Sequence, residues 1–455
     1  MEDKFINDNE ELSSSERRTL RRKRRLRNQI AAYLTAVLLL AVIVAGVDLG
    51  IRSLVALYNV GNQPASASEL ENVPPDAEET PPEIPDDTEA EAENFYEPEE
   101  AYPEIVVSAL DIVVESCISE LSLEDKIAAL FFITPEQLTG TAQVVRAGNT
   151  TKEKLLQYPI GGLIYFENNI QSSDQVKEML KNTHDMSKYP IFLATDEEGG
   201  RVAAVANSGL TENVGPMFEI GMTGEADNAK NAGNTIGNYL KELGFNTNFA
   251  PVADVLNGNS VENLGNRSFG TDPAVVADMA AAFAEGSKEA GIFTTMKHFP
   301  GLGNTSSDTH DGMAIIESTL DEMRSFDFLP FNAGIRNGID FVMMGHVSVP
   351  NITGDNTPAS LSPYMVTEIL RNELGYQGII ITDALNMGAI KEYYDSAEAC
   401  LKALEAGVDM LLMPENFAEA YNAVLEAVQS GKISEERVNE SLRRIYRVKY
   451  AGHVD

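Results

Sequence analysis

The chain contains the run Gly378-Ile379-Ile380-Ile381-Thr382-Asp383, a mostly β-branched apolar segment that ends directly in a carboxylate. Seven other short, largely apolar runs alternate with helical stretches along the chain, at residues 129–133, 162–166, 191–195, 245–252, 293–298, 341–346 and 410–413. Apolar runs of about four to eight residues separated by helices are typical of buried parallel strands. Eight of them predict an α/β fold, a single (β/α)₈ barrel of the TIM type.

Helical periodicity flanks these runs. The stretches 419–428 and 434–450 are predicted to be helices that cover the end of the barrel. Before the first run, apolar residues recur at three- and four-residue spacing, which predicts a helix with Cys117 on its core face. The recurring positions are Val106, Val107, Leu110, Val113, Val114, Cys117, Ile118 and Leu121.

Composition excludes several classes of protein. The 455 residues include 70 Asp and Glu against 34 Lys and Arg, and the net charge of −36 argues against binding nucleic acid. The two cysteines, Cys117 and Cys400, cannot form a disulfide framework and do not have the spacing of a structural zinc site. The fold must therefore depend on its hydrophobic core.

The first 104 residues differ from the rest. Residues 1–29 are a basic tail, in which eight of the eleven residues from Arg17 to Arg27 are Lys or Arg. The 18 residues from Ile30 to Val47 follow and carry no charge. This order predicts a transmembrane anchor at 30–52 with the tail in the cytoplasm and the following domain outside the cell. A cleaved signal peptide, with processing near Ala45 and Gly46, is the alternative.

Residues 53–104 are predicted to be a disordered acidic linker. The segment 63–103 carries fourteen Asp or Glu and repeated prolines, and no Lys or Arg occurs between Arg52 and Lys126. Such a segment cannot bury enough apolar surface to fold, so we interpret it as a charged spacer. The catalytic barrel is then expected at 105–455.

Titratable residues follow five of the eight predicted strands. Since the loops at the carboxyl ends of barrel strands converge over the barrel axis, these residues are expected to share one pocket. Polar residues at strand ends can also simply mark where the chain meets water. The five segments are Asp196-Glu197-Glu198-Gly199-Gly200-Arg201, Asp254, Lys297-His298, Gly345-His346 and Asp383.

Three of the five histidines, His298, His310 and His346, lie in these strand-end segments. Asp308 precedes His310 by two residues in a polar loop, a spacing that lets the carboxylate orient the imidazole and favour its protonated form. This pair is a candidate general acid/base. A metal site formed by His298, His310, Asp308 and Asp383 is an alternative, although it lacks the compact spacing of familiar zinc sites.

Asp383 is delivered by an apolar strand, and a rigid carboxylate is suited to nucleophilic attack on an anomeric carbon. The alternative is that Asp383 caps the helix that follows it.

Several segments together resemble glycoside hydrolase family 3, and more narrowly its bacterial β-N-acetylhexosaminidase branch. The resemblance runs from about Leu121 to Lys449, with the segments in the expected order and at the expected separations. It rests on Asp196-Glu197-Glu198-Gly199-Gly200-Arg201-Val202, Asn248-Phe249-Ala250-Pro251-Val252, Arg267-Ser268-Phe269-Gly270, Lys297-His298-Phe299-Pro300-Gly301, Asp308-Thr309-His310 and Thr382-Asp383-Ala384-Leu385-Asn386-Met387.

The resemblance implies a retaining enzyme that removes non-reducing terminal β-linked N-acetylglucosamine. With a catalytic domain anchored outside the cell, we expect the substrate to be a peptidoglycan-type glycan. By this resemblance, Asp383 is the nucleophile and His310 the acid/base, oriented by Asp308. The residues that match those holding the sugar hydroxyls are Asp196, Arg267, Lys297 and His298. No metal or organic cofactor is expected, and we expect a monomer whose partners are a carbohydrate substrate and, through its N-terminal helix, the membrane.

Some features depart from the family pattern. Leu302 and Asn304 stand where many relatives have a histidine and an acidic residue, and the chain has no Trp to stack on a sugar ring. The short chain after the barrel argues against the β-glucosidases that carry a second domain. A β-glucosidase, a phosphorolytic relative and a non-catalytic, anchored glycan-binding protein are the alternatives.

Overall fold

The computed structural model describes residues 108–258, 264–305, 309 and 312–451. The predicted tail, anchor and linker at 1–104 lie outside these residues, and so do Asp308 and His310. Among the described residues, no helix is both long and apolar enough to cross a membrane.

Eight parallel strands form the centre of the domain. Neighbours in the sheet follow one another in sequence, and an isolated parallel bridge between Ile381 and Met410 brings the last strand next to the seventh. This arrangement confirms the predicted α/β barrel of the TIM type. The strands are β1 Phe131–Ile133, β2 Gly162–Tyr165, β3 Phe192–Thr195, β4 Thr247–Asn248, β5 Phe293–Phe299, β6 Phe341–Met344, β7 Ile379–Thr382 and β8 Leu411–Leu412.

The fourth strand is shorter than the sequence predicted. The run 245–252 was expected to be one strand, but β4 covers only Thr247–Asn248. Pro251 has no N–H group for the ladder, and beyond it Val252 makes a single bridge to Lys297. The chain therefore still follows β5, although without regular pairing.

Helices surround the strands. The two predicted C-terminal helices are present, and the last one is capped by the Ser434 side chain, which accepts a hydrogen bond from the backbone of Arg437. The α-helices of the described residues are Ala109–Glu120, Leu123–Ala128, Pro135–Thr139, Asn149–Gln157, Ser173–Met186, Ala204–Asn207, Met217–Gly221, Ala226–Leu243, Pro273–Glu289, Leu320–Ser325, Phe328–Arg336, Pro350–Thr353, Gly388–Lys391, Ser396–Ala406, Phe417–Gln429 and Glu435–Tyr450. Short 3₁₀ segments occupy Glu167–Asn169 and Ala359–Leu361, and Tyr364–Glu373 is a π-helix.

The first described helix covers part of the predicted stretch. It begins at Ala109, buries Val114 and Ile118, and packs on the last helix, Glu435–Tyr450. The core position predicted for Cys117 is wrong, because this residue is half-buried and its thiol donates a hydrogen bond to the Tyr450 hydroxyl at 3.5 Å.

Aromatic rings fill the barrel interior. The ring centroid of Phe192 lies 6.3 Å from that of Phe132 and 5.0 Å from that of Phe341, and Phe132 lies 5.0 Å from Phe249. All four side chains are fully buried. The barrel is therefore a packed core and not a pore, as expected for eight strands.

Candidate active site

A cavity of about 580 Å³ opens at the carboxyl ends of the strands. Its walls include five of the predicted site residues: Asp196 after β3, Arg267 after β4, Lys297 and His298 in β5, and Asp383 after β7. Thr309, which lies between Asp308 and His310 in sequence, also lines the cavity. Cavities of this size hold small ligands.

Buried ion pairs hold the sugar-binding candidates together. Lys297 Nζ lies 2.6 Å from Asp196 Oδ1 and 2.6 Å from Glu198 Oε1. The Arg267 guanidinium donates two hydrogen bonds of 2.7 Å to the two oxygens of Glu198. The bidentate geometry fixes the orientation of Arg267. Glu198 is 1% exposed and Lys297 3%, so water screens these pairs very little.

The charges of this network stabilise one another. Burial alone would raise the pKa of Glu198, but the charges of Lys297 and Arg267 lower it to about 2. Burial would lower the pKa of Lys297, but the Asp196 and Glu198 carboxylates raise it above its ordinary value. Glu198 is thus a carboxylate and Lys297 an ammonium at neutral pH.

A small hairpin separates the two adjacent glutamates. Glu197–Gly199 pairs antiparallel with Val202–Ala203, and because side chains alternate along a strand, Glu197 and Glu198 point in opposite directions. Glu197 accepts hydrogen bonds from the backbone of Val205 and from the Tyr239 hydroxyl, at 2.7 Å each, and not from the cavity residues. The turn needs glycine at 199 and 200, where φ is +96° and +60°.

Asp254 orients His298. Its Oδ2 lies 2.8 Å from His298 Nδ1, and its Oδ1 accepts hydrogen bonds from the backbone N–H groups of His298 and Leu302. Asp254 is fully buried. A carboxylate at Nδ1 places the proton there and leaves Nε2 for a hydroxyl group bound in the cavity.

Asp383 stays ionised within the cavity. Burial would raise its pKa, but the charge of His298, the backbone N–H of Ala384 and the charge of Lys297 lower it below the ordinary value. The N–H of Ala384 donates to Asp383 Oδ1 at 2.7 Å. The alternative role as a helix cap is wrong, because the next helix begins at Gly388 after Met387.

His346 supports the chain beyond β7 and does not line the cavity. It is fully buried, which lowers its pKa, and its Nε2 lies 3.0 Å from the Ala384 carbonyl oxygen. Since a carbonyl only accepts, Nε2 carries the proton and Nδ1 accepts from the Ser360 hydroxyl at 2.8 Å. The shared pocket predicted from the strand ends therefore includes His298 but not His346.

Comparison with known proteins assigns the chain to a family. Residues 122–448 match the model of the glycosyl hydrolase family 3 N terminal domain. The chain belongs to glycoside hydrolase family 3.

Relatives in family 3 are similar over most of the barrel. Beta-hexosaminidase A of Pseudoalteromonas piscicida is 33% identical over 337 residues, which are 67% of this chain and 56% of that protein. Beta-hexosaminidase of Stenotrophomonas maltophilia strain K279a is 35% identical over 273 residues, covering 58% of this chain and 80% of that protein. The chain thus spans little more than half of the first relative and most of the second.

The fold is also similar to solved family 3 structures. A glycoside hydrolase family 3 beta-N-acetylglucosaminidase from Paenibacillus sp. str. FPU-7 superimposes with a TM-score of 0.67 at 32% identity. The match covers 74% of this chain and 64% of that one.

The two residues that depart from the family 3 pattern make neutral contacts. Leu302 lines the cavity with its apolar side chain. The Asn304 amide donates to Ser318 Oγ at 2.7 Å and accepts from Asn257 at 2.5 Å. These hydrogen bonds hold the beginning of the loop that leads to Asp308 and His310.

In the described part of this family 3 chain, no cluster of three or more His, Cys, Asp or Glu side chains could hold a metal ion. The alternative metal site drawn from the sequence includes Asp308 and His310, which lie outside that part. Of its two other members, His298 already has its Nδ1 atom on Asp254.

Proposed function

We propose that the protein is a retaining exo-β-N-acetylglucosaminidase that hydrolyses non-reducing terminal β-linked N-acetylglucosamine from peptidoglycan-type glycans. The observation that carries this proposal is the ionised Asp383 carboxylate in the same cavity as Asp196, Lys297 and His298. The family membership and the names of the two bacterial hexosaminidases support it.

Asp383 is the nucleophile in this proposal. Its carboxylate attacks the anomeric carbon, a bond forms between that carbon and a carboxylate oxygen, and the bond to the leaving oxygen breaks. The leaving oxygen takes a proton from His310. Water then attacks the glycosyl-enzyme, returns its proton to His310 and releases the sugar and the free Asp383 carboxylate. Each proton therefore has a donor and an acceptor.

His310 is proposed as the acid/base, and Asp308 as the residue that orients it. A free imidazole has a pKa of about 6.5, which suits the donation and recovery of a proton near neutral pH. This arrangement replaces the second carboxyl group of the common glycosidase scheme. Thr309, the residue between the two, supports the assignment because it lines the same cavity as Asp383.

The sugar hydroxyls are proposed to bind Asp196, Arg267, Lys297 and His298. Asp196 and Lys297 provide an acceptor and a donor 2.6 Å apart, so one hydroxyl group can bridge them. His298 offers Nε2, since Asp254 occupies Nδ1. Because their ion pairs already fix these side chains, little conformational entropy is lost when a sugar binds.

The site of action is proposed to be the outer surface of a cell membrane, with residues 30–52 as the anchor. The basic tail before the apolar run and the acidic, proline-rich segment after it support this placement. Release after signal cleavage is the alternative.

A substrate panel tests the proposed activity. The protein should release p-nitrophenol from the β-N-acetylglucosaminide at least about 100-fold faster than from the β-glucoside, since an engaged polar substituent gives strong discrimination. Adding phosphate should not convert the product to a sugar phosphate. No release from any aryl glycoside would instead indicate a glycan-binding protein, and faster release from the glucoside would contradict the specificity.

The role of His310 predicts a dependence on the leaving group. His310→Ala should lower kcat/KM for an N-acetylglucosamine disaccharide by about 10²-fold or more, but much less for the p-nitrophenyl glycoside, because a stable phenolate departs with little protonation. Kinetics on both substrates give the measurement, and His184→Ala, on an exposed helix position, is the control. Equal losses on the two substrates would contradict the assignment.

A further inference from the structure

A second cavity of about 960 Å³ lies at the opposite end of the barrel, where the strands begin. Its walls include Phe192 at the start of β3, Asn246 before β4 and Phe293 at the start of β5, together with Lys449 from the last helix. The buried rings inside the barrel separate it from the Asp383 cavity. It is therefore a distinct site and not an extension of the active site.

Lys449 places a buried amino group in this cavity. The residue is 7% exposed, and its Nζ lies 4.8 Å from the ring centroid of Phe192 and 5.5 Å from that of Tyr446. Among the described residues, no carboxylate lies within ion-pair distance of it. Two ring faces attract an ammonium but do not neutralise it.

Burial without an anionic partner is costly for an ammonium group. The cost appears as a pKa that burial lowers to about 7. Lysines are almost never this buried unless they are paired. By contrast, the similarly buried Lys297 at the other end of the barrel lies 2.6 Å from each of two carboxylates. Lys449 thus has the environment of a cation whose counter-ion is a ligand.

The rim of the cavity carries more positive than negative side chains. The half-buried Lys177 and the exposed lysines at 181, 241 and 288 line it, against the acids Glu242 and Asp340. Lys177 pairs with Glu242 at 2.8 Å and Lys181 pairs with Asp185. Within the described part of the chain, Lys241 and Lys288 contact only backbone carbonyls, at 3.4 and 3.3 Å. Lysines at helix C-termini are ordinary. Here they give a strongly acidic chain a positive entrance beside a buried ammonium.

We propose that this cavity binds a small organic anion, whose phosphate or carboxylate group contacts Lys449 and whose apolar body packs on the cavity wall. The wall supports an apolar body, since Ile191, Phe192 and Phe293 contribute to it. An oxyanion beside Lys449 forms charge-assisted hydrogen bonds and removes the cost of an unpaired buried charge. The site does not depend on the proposed glycosidase activity.

Thermal unfolding of the whole chain with phenyl phosphate tests the proposal. A ligand that binds only the folded state stabilises it by RT ln(1 + [L]/Kd), where [L] is the free ligand concentration, so Tm rises with that concentration. Wild-type protein should therefore gain Tm with phenyl phosphate but not with sodium chloride at equal ionic strength. Lys449→Met should weaken the apparent affinity at least about tenfold. Lys402→Met, which removes a half-buried ammonium next to Tyr394 and outside the cavity wall, should leave the affinity unchanged.

A second variant is available if Lys449→Met does not fold. Lys449→Met should fold, because it replaces an unpaired buried charge with an apolar chain of similar length. If it does not, Lys241→Glu reverses an exposed rim charge and should weaken phenyl phosphate severalfold. No Tm gain in the wild type, or an equal gain in the wild type and in a folded Lys449→Met protein, would overturn the proposal. Carboxylate binding is tested in parallel with benzoate.

Discussion

Asp383→Ala is expected to lower kcat on the p-nitrophenyl β-N-acetylglucosaminide by about 10⁴-fold or more, because no other group replaces a missing nucleophile. The side chain stands at the end of β7, where its neighbours keep it ionised. Assays with purified wild-type and variant protein give the measurement, and thermal unfolding confirms that the variant is folded.

Chemical rescue separates a nucleophile from a residue that only binds the sugar. Azide should restore part of the activity of Asp383→Ala, because the shortened side chain leaves room for an external nucleophile, and the glycosyl azide should have the α configuration. Asp383→Asn is the matched control, since its amide fills the space and azide should not help. Failure of rescue, or a glycosyl azide of β configuration, would refute the nucleophilic role.

Glu198→Gln is expected to reduce the free energy of unfolding by about 3 kcal/mol at pH 7, because Arg267 and Lys297 remain buried with less counter-charge. The measurement is urea unfolding. Glu285→Gln is the matched control: Glu285 pairs with Lys230 at 2.9 Å but is 59% exposed, so its loss should cost less than about 0.5 kcal/mol. Equal effects of the two substitutions would contradict the stabilising role of the buried network.

The same stabilisation has a defined pH dependence. The pKa of Glu198 is about 2 in the folded protein and close to 4.5 for an ordinary glutamate. A carboxyl group whose pKa is lower in the folded protein stabilises the folded state at any pH above its ordinary pKa. This stabilisation is lost as the pH falls towards the folded-state pKa. The difference between wild type and Glu198→Gln should therefore be constant above about pH 5.5 and fall to roughly half near pH 3.

The barrel could be predicted because its signal is local. Each buried strand is a short apolar run, and all eight runs occur in the structure in the predicted order. The predicted lengths of the strands were less accurate, because hydrophobicity does not show where the backbone pairing between neighbouring strands stops. In the fourth run, Pro251 ends regular pairing after Asn248.

Five of the seven predicted site residues lie in one cavity, and the other two, Asp308 and His310, lie outside the described residues. Asp196, Arg267, Lys297, His298 and Asp383 meet in one cavity, as expected from strand ends that converge. The role of Glu198 was missed, because its partner Arg267 is 69 positions away and Glu197 looks equivalent in sequence. The strand-end position of Asp254 was noticed, but its pairing with His298 required the fold.

The buried ion network joins the ends of β3 and β5 to the loop after β4, so it holds the barrel mouth whether or not a reaction takes place there. A homologue that had lost turnover and survived as a pseudoenzyme would still be stabilised by Glu198, Arg267 and Lys297. Screening genomes for these three residues would therefore count dead homologues as active. The informative positions for such a screen are 383 and 310, the proposed nucleophile and the proposed acid/base.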